Sequence, residues 1–565
     1  MSVSNEVKPK YERLSQHIKP IHYNLSLTPS MQDFSLTGKV DIDVEVKAHV
    51  EHIKLHADGL QITKADIMLA DGKVVEGRME YGKEMLTLRP PLPIAPQKLI
   101  VSLAFIGQLR NDMKGFYRST YKGGDGKERI LASTQFEATF ARQAFPYFDE
   151  PAFKATFDVE LTIDKTLTAL SNMPVMSESA VGNDLKTVNF ARTPIMSSYL
   201  LAFAVGELEY LEGKTMGGVD VIVYTGPGKK DQGKFSLDVA IRALDWYGEW
   251  FDIPCVLPKC DLIAIPDFRG GAMENWGLVT FREVTLLFDP AKTSSGQKAR
   301  IALVVAHELA HLWFGNLVTM VWWTDLWLKE GFARFMEYLF VAHNYDEFKS
   351  WLRFARDEIS TGMRLDALRS SHPIEVLIDN PNELDEIFDA ITYDKSNCVN
   401  RMLYEYLGEA TFQKGLRIYL KKHQYANAIT EDLWAAHSEA SKEDIKSMMS
   451  GWTQQMGFPL ITVSEDTFHG SSRVLKLKQE RFIVDGSKDE MGSKWIVPIT
   501  AIVGPDAKEA KKSLLYEAEG MMSVDATDGV YIKLNAHTGG FYRVAYSEQL
   551  FDSLLTASLN FRLFA

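Results

Sequence analysis

Along the first 210 or so residues, apolar positions alternate with polar ones. Val40, Ile42, Val44 and Val46 form one such run, and Phe157, Val159, Leu161 and Ile163 another. This is the period of a half-buried strand. Turns such as Gly123-Gly124-Asp125-Gly126 separate the runs. From about Lys230 the period lengthens to that of helices, over residues 235–251, 297–315, 346–359 and 431–452. After Gly457-Phe458-Pro459 short strands return at 474–477, 495–503 and 531–534. The order predicts a multidomain α+β chain: an N-terminal β domain over 1–210, a mostly α domain over 211–456, and a small β domain over 457–547. Residues 548–565 follow as a short tail. No fixed-period repeat interrupts this order.

Composition narrows the function classes. A chain of 565 residues has room for about three or four domains. Its net charge of −13 argues against a nucleic-acid footprint. Residues 1–20 are polar, with no apolar core of a secretory signal. Cys255, Cys260 and Cys398 are too few for a disulfide framework and too widely spaced for a thiolate zinc site. These features predict a cytoplasmic protein. Residues 301–328 are apolar enough to approach membrane-spanning length, but His307, Glu308, His311 and Asp325 lie within them. A buried helix of a large domain fits better, and no membrane contact is expected.

The polar residues in that stretch carry the candidate chemistry. His307-Glu308-Leu309-Ala310-His311 is an H-E-x-x-H motif. On a helix, positions i and i+4 share a face, so two imidazoles can reach one metal while the Glu points at the same site. The competing reading is a pair of satisfied core histidines. After eighteen intervening residues comes Glu330, in Trp327-Leu328-Lys329-Glu330-Gly331-Phe332-Ala333. Its carboxylate would complete a His₂Glu zinc set with one position left for water. The alternative for Glu330 is a surface i,i+4 pair with Arg334.

With Gly271-Ala272-Met273-Glu274-Asn275 upstream, this combination resembles the zinc aminopeptidases of the gluzincin class, most of all their puromycin-sensitive branch. The resemblance runs through Thr134-Gln135-Phe136-Glu137, residues 145–151, Gly315-Asn316-Leu317-Val318-Thr319, Ser371-His372-Pro373-Ile374 and Gly540-Phe541-Tyr542-Arg543. It implies an N-terminal β-sheet domain, a thermolysin-like catalytic domain, a small β-sandwich and a helical C-terminal domain. It implies one Zn²⁺ per chain, held by His307, His311 and Glu330, and peptide substrates with a free N-terminus. Glu308 would be the general base toward a zinc-activated water. Tyr393 would donate its phenolic proton to the oxyanion; otherwise it is a core tyrosine. Glu274 and Glu137 would bind the substrate ammonium, since charge-assisted bonds to fixed carboxylates reject a capped peptide. The alternative for Glu137 is an interdomain salt bridge. Gln135, two residues earlier on the same face of a strand, would line the first side-chain pocket. Gly271 and Ala272 would bring bare backbone beside the substrate, with Met273 and Asn275 completing the segment.

Departures from the family pattern also bear on function. Lys329 replaces an Asn and Leu312 a Gln, and Lys395-Ser396-Asn397-Cys398 stands where Lys-Gly-Ala-Ser is usual. Ser396 is expected to strain the turn near Tyr393. The chain stops where the family's helical domain would begin, leaving 548–565 as its remnant. That predicts an open cleft and association through the uncovered surface. The leading expectation is a zinc exopeptidase; the different-class alternative is a catalytically weak short form that binds peptides or regulates.

Overall fold

The computed structural model describes residues 11–561, except 124, 470–471, 506–508 and 527–529. Residues 1–10, Gly124 of the expected turn and residues 562–565 of the expected remnant lie outside them. The architecture is multidomain α+β. It divides into two compact units. One comprises Met1–Trp323, Ile378–Leu384 and His423–Asn427, the other Thr324–Leu377, Asp385–Lys422 and Ala428–Ala565.

The first unit is rich in sheet. Its largest sheet has eight strands, with Ile18–Pro29 central between Thr156–Asp164, which runs parallel to it, and the antiparallel Ser35–Val46. Both alternating runs in the sequence are strands here, and their apolar faces are buried. Tyr23 sits opposite Phe157 in the register, and the two rings stack 4.8 Å apart. Such a pair adds about 0.5–1.5 kcal/mol beyond its buried area.

A five-stranded sheet follows, in the order Glu209–Lys214, Asp220–Thr225, Lys259–Ile265, Leu278–Arg282, Ala272–Met273. Every residue of Lys259–Ile265 is buried, as befits a strand covered on both faces. Helices α1 (Lys234–Phe251) and α2 (Ser295–Ala310) accompany it. They are joined by Tyr247, whose hydroxyl donates to Ala306 O at 3.0 Å, and by Trp313, whose indole N–H donates to Ile253 O at 2.9 Å. Among the described residues, no helix is long and apolar enough to cross a membrane. The apolar stretch from 301 is the buried part of α2.

The second unit opens with α3 (Trp327–Asn344). Trp327 packs on Trp434 at 5.5 Å and donates to Thr430 Oγ1 at 3.0 Å. The expected helix over 346–359 is a 3₁₀ turn at Asp346–Phe348 and then a continuous helix from Ser350 to Asp366, with a π-helical turn at Ala355–Ile359. The expected helix over 431–452 is two, Thr430–Ser441 and Ile445–Gln454, because Lys442 takes a left-handed conformation between them. Beyond lie a four-stranded and a three-stranded sheet, containing all three of the strands expected after Pro459. Helix α4 (Ser396–Leu407) packs against α3 through Gly331, where a Cβ would stand 2.4 Å from Ser396 Oγ. A glycine after Glu330 is what lets the two helices approach this closely.

Gly277, just past Glu274 and Asn275, has φ +92°, and a Cβ there would lie 2.2 Å from Asn172 O. Both features exclude a side chain. Gly277→Ala is expected to lower the stability of the first unit by at least ~2 kcal/mol, seen as a fall in the urea midpoint. An unchanged midpoint would contradict the close approach.

Candidate metal centre

Helix α2 begins at Ser294, whose hydroxyl accepts from Gln297 N at 3.2 Å and caps an otherwise unpaired amide. From Ile301 to Ala310 every residue is buried, His307 and Glu308 among them, and His311 follows at the C-cap. The one-turn spacing sets the two imidazoles edge to face, with Nε2 of each 3.1 Å apart. His311 Nδ1 lies 2.8 Å from Phe314 O. Only an N–H can satisfy that carbonyl, so the proton sits on Nδ1 and the Nε2 lone pair faces His307. Two nitrogens on one tetrahedral zinc at about 2.0–2.1 Å stand about 3.3 Å apart. The pair is therefore spaced and polarised as metal ligands, although the same separation also suits one N–H···N bond.

The helix expected to run to Gly315 stops at Ala310. The amides of Leu312 and Trp313 bond three residues back, to Leu309 and Ala310, and Gly315 adopts φ +125°. This tight reversal is what returns Phe314 O to the His311 ring. Asn316, in the same reversal, donates from Nδ2 to Glu274 O at 2.8 Å. Buried Lys154 donates to the carbonyls of Asn316 and Leu317 at 3.3 and 3.4 Å, and burial lowers its ammonium to about 7.

Carboxylates surround the histidines. One oxygen each of Glu274 and Glu308 and one nitrogen of His311 lie within 4.8 Å of one another, all on buried residues. A Glu137 oxygen comes within the same distance of Glu274. Buried imidazole and carboxylate donors gathered this closely suit a divalent metal, whose charge would offset theirs. Two placements differ from the sequence expectation. Gln135 is the last residue of its strand and Glu137 lies beyond it, so they do not share a strand face. Instead Gln135 Nε2 turns toward Glu137 O at 3.5 Å. Likewise the Gly271–Asn275 segment, expected as a strand from its resemblance to the family's, is one only at Ala272–Met273, and Glu274 and Asn275 follow it. Asn275 Nδ2 donates to Thr280 Oγ1 at 3.1 Å, while the carbonyl of exposed Gly271 accepts from Arg282 N at 2.9 Å and Thr285 Oγ1 at 2.7 Å.

Glu330 and Tyr393 belong to the second unit. Glu330 is in the first turn of α3 and is 3% exposed, which rules out a surface pair with Arg334. Lys329 Nζ, itself buried, lies 2.9 Å from Glu330 Oε1. Tyr393 is half-buried on a π-helical turn, Ile391–Lys395. Asp389 caps that turn, its Oδ1 accepting from the amides of Ile391 at 2.9 Å and Thr392 at 3.2 Å. His372 braces Asp389, with Nε2 2.8 Å from Oδ2 and Nδ1 2.7 Å from Pro373 O. The hydrogen bond to Asp389 holds the His372 imidazolium above its usual range. Burial alone would raise Asp389, but His372 and the two amides keep it below the usual carboxylate range. Ser396 has φ −63° and ψ −40°, ordinary helical values, so the strain expected of a residue in place of Gly is absent.

Residues 19–200 match the Peptidase M1 N-terminal domain, and residues 235–452 match the Peptidase family M1 domain. The chain belongs to peptidase family M1. It is 56% identical over 552 residues to puromycin-sensitive aminopeptidase of Caenorhabditis elegans, covering 97% of this chain and 58% of that protein. It is 44% identical to aminopeptidase M1 of Arabidopsis thaliana, covering 97% of this chain and 63% of that protein. It is 39% identical to endoplasmic reticulum aminopeptidase 1 of Homo sapiens, covering 96% and 60%. The chain thus spans about three fifths of the length of these M1 relatives.

Sequence reasoning quoted His372 without a role and passed over Asp389. An Asp two residues before a helical turn is a capping signal, masked here because Ile391-Thr392-Tyr393 scores poorly as a helix start. Asp389→Ala in this M1 chain is expected to cost the turn about 0.5–2 kcal/mol. Amide hydrogen exchange at Ile391–Lys395 reads this as a rise of about 2–30-fold. Unchanged exchange there would show that the cap does not hold the turn.

Proposed function

We propose that this chain is a zinc-dependent aminopeptidase that removes N-terminal residues from peptides. The observation that carries the reading is the His307–His311 pair, buried, polarised by Phe314 O, with Glu308 and Glu274 in the same 4.8 Å cluster. The proposed third ligand is Glu330, on the strength of its spacing from His311 and its position in the E-G-F-A segment. Zinc would supply a Lewis acid that polarises the scissile carbonyl and lowers the pKa of a water toward ~7. Glu308 would take the proton of the attacking water on a carboxylate oxygen and pass it to the leaving amine nitrogen. Tyr393 would donate its hydroxyl to the developing oxyanion.

Glu274 would anchor the substrate ammonium, helped by Glu137, and Gln135 would face the first side chain. Asn316, by holding Glu274 O, would keep the anchor at a fixed distance from the base. An ammonium bonded to a desolvated carboxylate is worth roughly 1.5–3 kcal/mol, and an N-acetylated peptide forfeits it. Three free cysteines, in a chain with no disulfide framework to build, support a cytoplasmic setting.

The test is release of a fluorophore from an aminoacyl amide by the zinc-loaded chain. Turnover should vanish on chelation, return with zinc, and fall by about 10–150-fold for an N-acetylated substrate, the fold-change of that lost bond. Glu308→Gln should lower kcat by at least ~10²-fold while zinc content stays stoichiometric, because the ligands remain. Equal turnover of free and acetylated substrates would remove the exopeptidase reading, and zinc loss in Glu308→Gln would remove its assignment as the base.

A further inference from the structure

The turn that carries Tyr393 is fixed on both sides by buried charge. Lys395 ion-pairs with Asp366 at 3.0 Å, both side chains wholly buried, and also donates to Gln455 O at 3.0 Å and Gly457 O at 3.2 Å. On the other side, Asp394 enters a cluster of three carboxyl groups around a single guanidinium. Arg334 of α3 binds Glu358 through Nε at 2.9 Å and Nη2 at 3.1 Å, and Glu337 through Nη1 at 3.2 Å. Its Nη2 stands 3.9 Å from Asp394 Oδ1. Tyr338 adds a hydroxyl to Glu358 Oε1 at 2.7 Å, and Asn397 an amide to Oε2 at 3.3 Å. Cys398 of α4 also lies beside the cluster, while Arg401 beyond it ion-pairs with Glu405 at 3.8 Å.

The charge balance is decisive. Three carboxylates against one guanidinium would leave two negative charges in a buried site, which is costly unless a proton is retained. Glu358 has the guanidinium fork, the tyrosine hydroxyl and the amide, all of which donate, so it is the better carboxylate. Asp394 is left as the acid: it stands 3.9 Å from the same Arg334 Nη2 that binds Glu358 at 3.1 Å. Burial, then the Glu358 charge, push Asp394 up to about 8, against the pull of Arg334.

We propose that Asp394 is a positioning residue for Tyr393: as a neutral acid beside Glu358 on the shared Arg334 guanidinium, it ties the Tyr393 turn to α3 and sets where the phenol points. This rests on the reading of Tyr393 as the oxyanion donor. Ionisation would put two carboxylates in contact and push the turn off its anchor. A misplaced donor costs the transition state rather than substrate binding, so the loss appears in kcat.

The experiment compares the 565-residue chain with Asp394→Asn, Asp394→Ala and Tyr393→Phe. Two readouts are used: kcat and KM on an aminoacyl amide from pH 6 to 10, and infrared difference spectra in the carboxylic-acid region. The unaltered chain should lose kcat above about pH 8, with KM steady within ~3-fold. Asp394→Asn, which keeps an N–H donor in place of the acid O–H, should hold neutral kcat within ~3-fold and abolish that alkaline fall. Asp394→Ala should lower kcat at least ~10-fold at every pH. A protonated-carboxyl stretch present at pH 7 should disappear in Asp394→Asn, and in the unaltered chain above about pH 9. An unchanged alkaline limb in Asp394→Asn, or no acid stretch lost from that variant, would overturn the inference. Full activity of Tyr393→Phe would instead overturn the role of Tyr393, and the infrared bands report the shared proton whether or not turnover survives.

Discussion

Two buried imidazoles one helical turn apart, at the end of α2, impose the constraint on which the first unit's candidate site depends. A buried ring nitrogen needs a partner. Phe314 O satisfies Nδ1 of His311, and that is possible only because α2 ends at Ala310 and the chain reverses at once. The reversal in turn places Asn316 against Glu274 O, and Lys154 under Asn316 and Leu317. A tautomer, a helix end and the position of Glu274 are thus parts of one arrangement, and a change in any of them displaces the others.

The second unit solves a matching problem, the placement of one phenol, by surrounding its turn with buried charge. Asp389 caps the start, Lys395 locks the end to Asp366, and Asp394 meets Glu358 and Arg334. A buried ion pair adds little net stability against an apolar replacement, because desolvation offsets the Coulomb gain. Its usefulness here is directional: bonds to fixed atoms set the orientation of a short π-helical turn that apolar packing alone would leave free to slide. Ser396 fits this scheme, filling the space that Gly331 leaves between α3 and α4.

Periodicity made most of the fold legible. The alternation at Val40–Val46 and Phe157–Ile163 reports strands because one face of each is buried and the other is not. It failed where backbone conformation, rather than burial, decides the element. Lys442 in a left-handed conformation splits one expected helix, and the reversal after His311 shortens another. At the site, H-E-x-x-H could be read because its spacing is itself the chemistry, and Glu274 because its segment resembles the family's. Asp389, Asn316 and the Asp394–Glu358 pair could not, since each acts by bonding residues far away in sequence or backbone atoms that carry no residue identity. Gln135 and Glu137 show the same limit: a two-residue spacing implies a shared strand face only while the strand lasts, and it ends at Gln135.

The central proposal is that His307 and His311 are ligands of one zinc ion. Zinc-edge X-ray absorption on the stoichiometrically loaded chain tests it most directly. The account predicts two imidazole nitrogens at about 2.0–2.1 Å with their outer-ring scattering, and oxygen ligands at about 2.0–2.2 Å, with no sulfur. One imidazole or none, or a sulfur shell at about 2.3 Å, would contradict it.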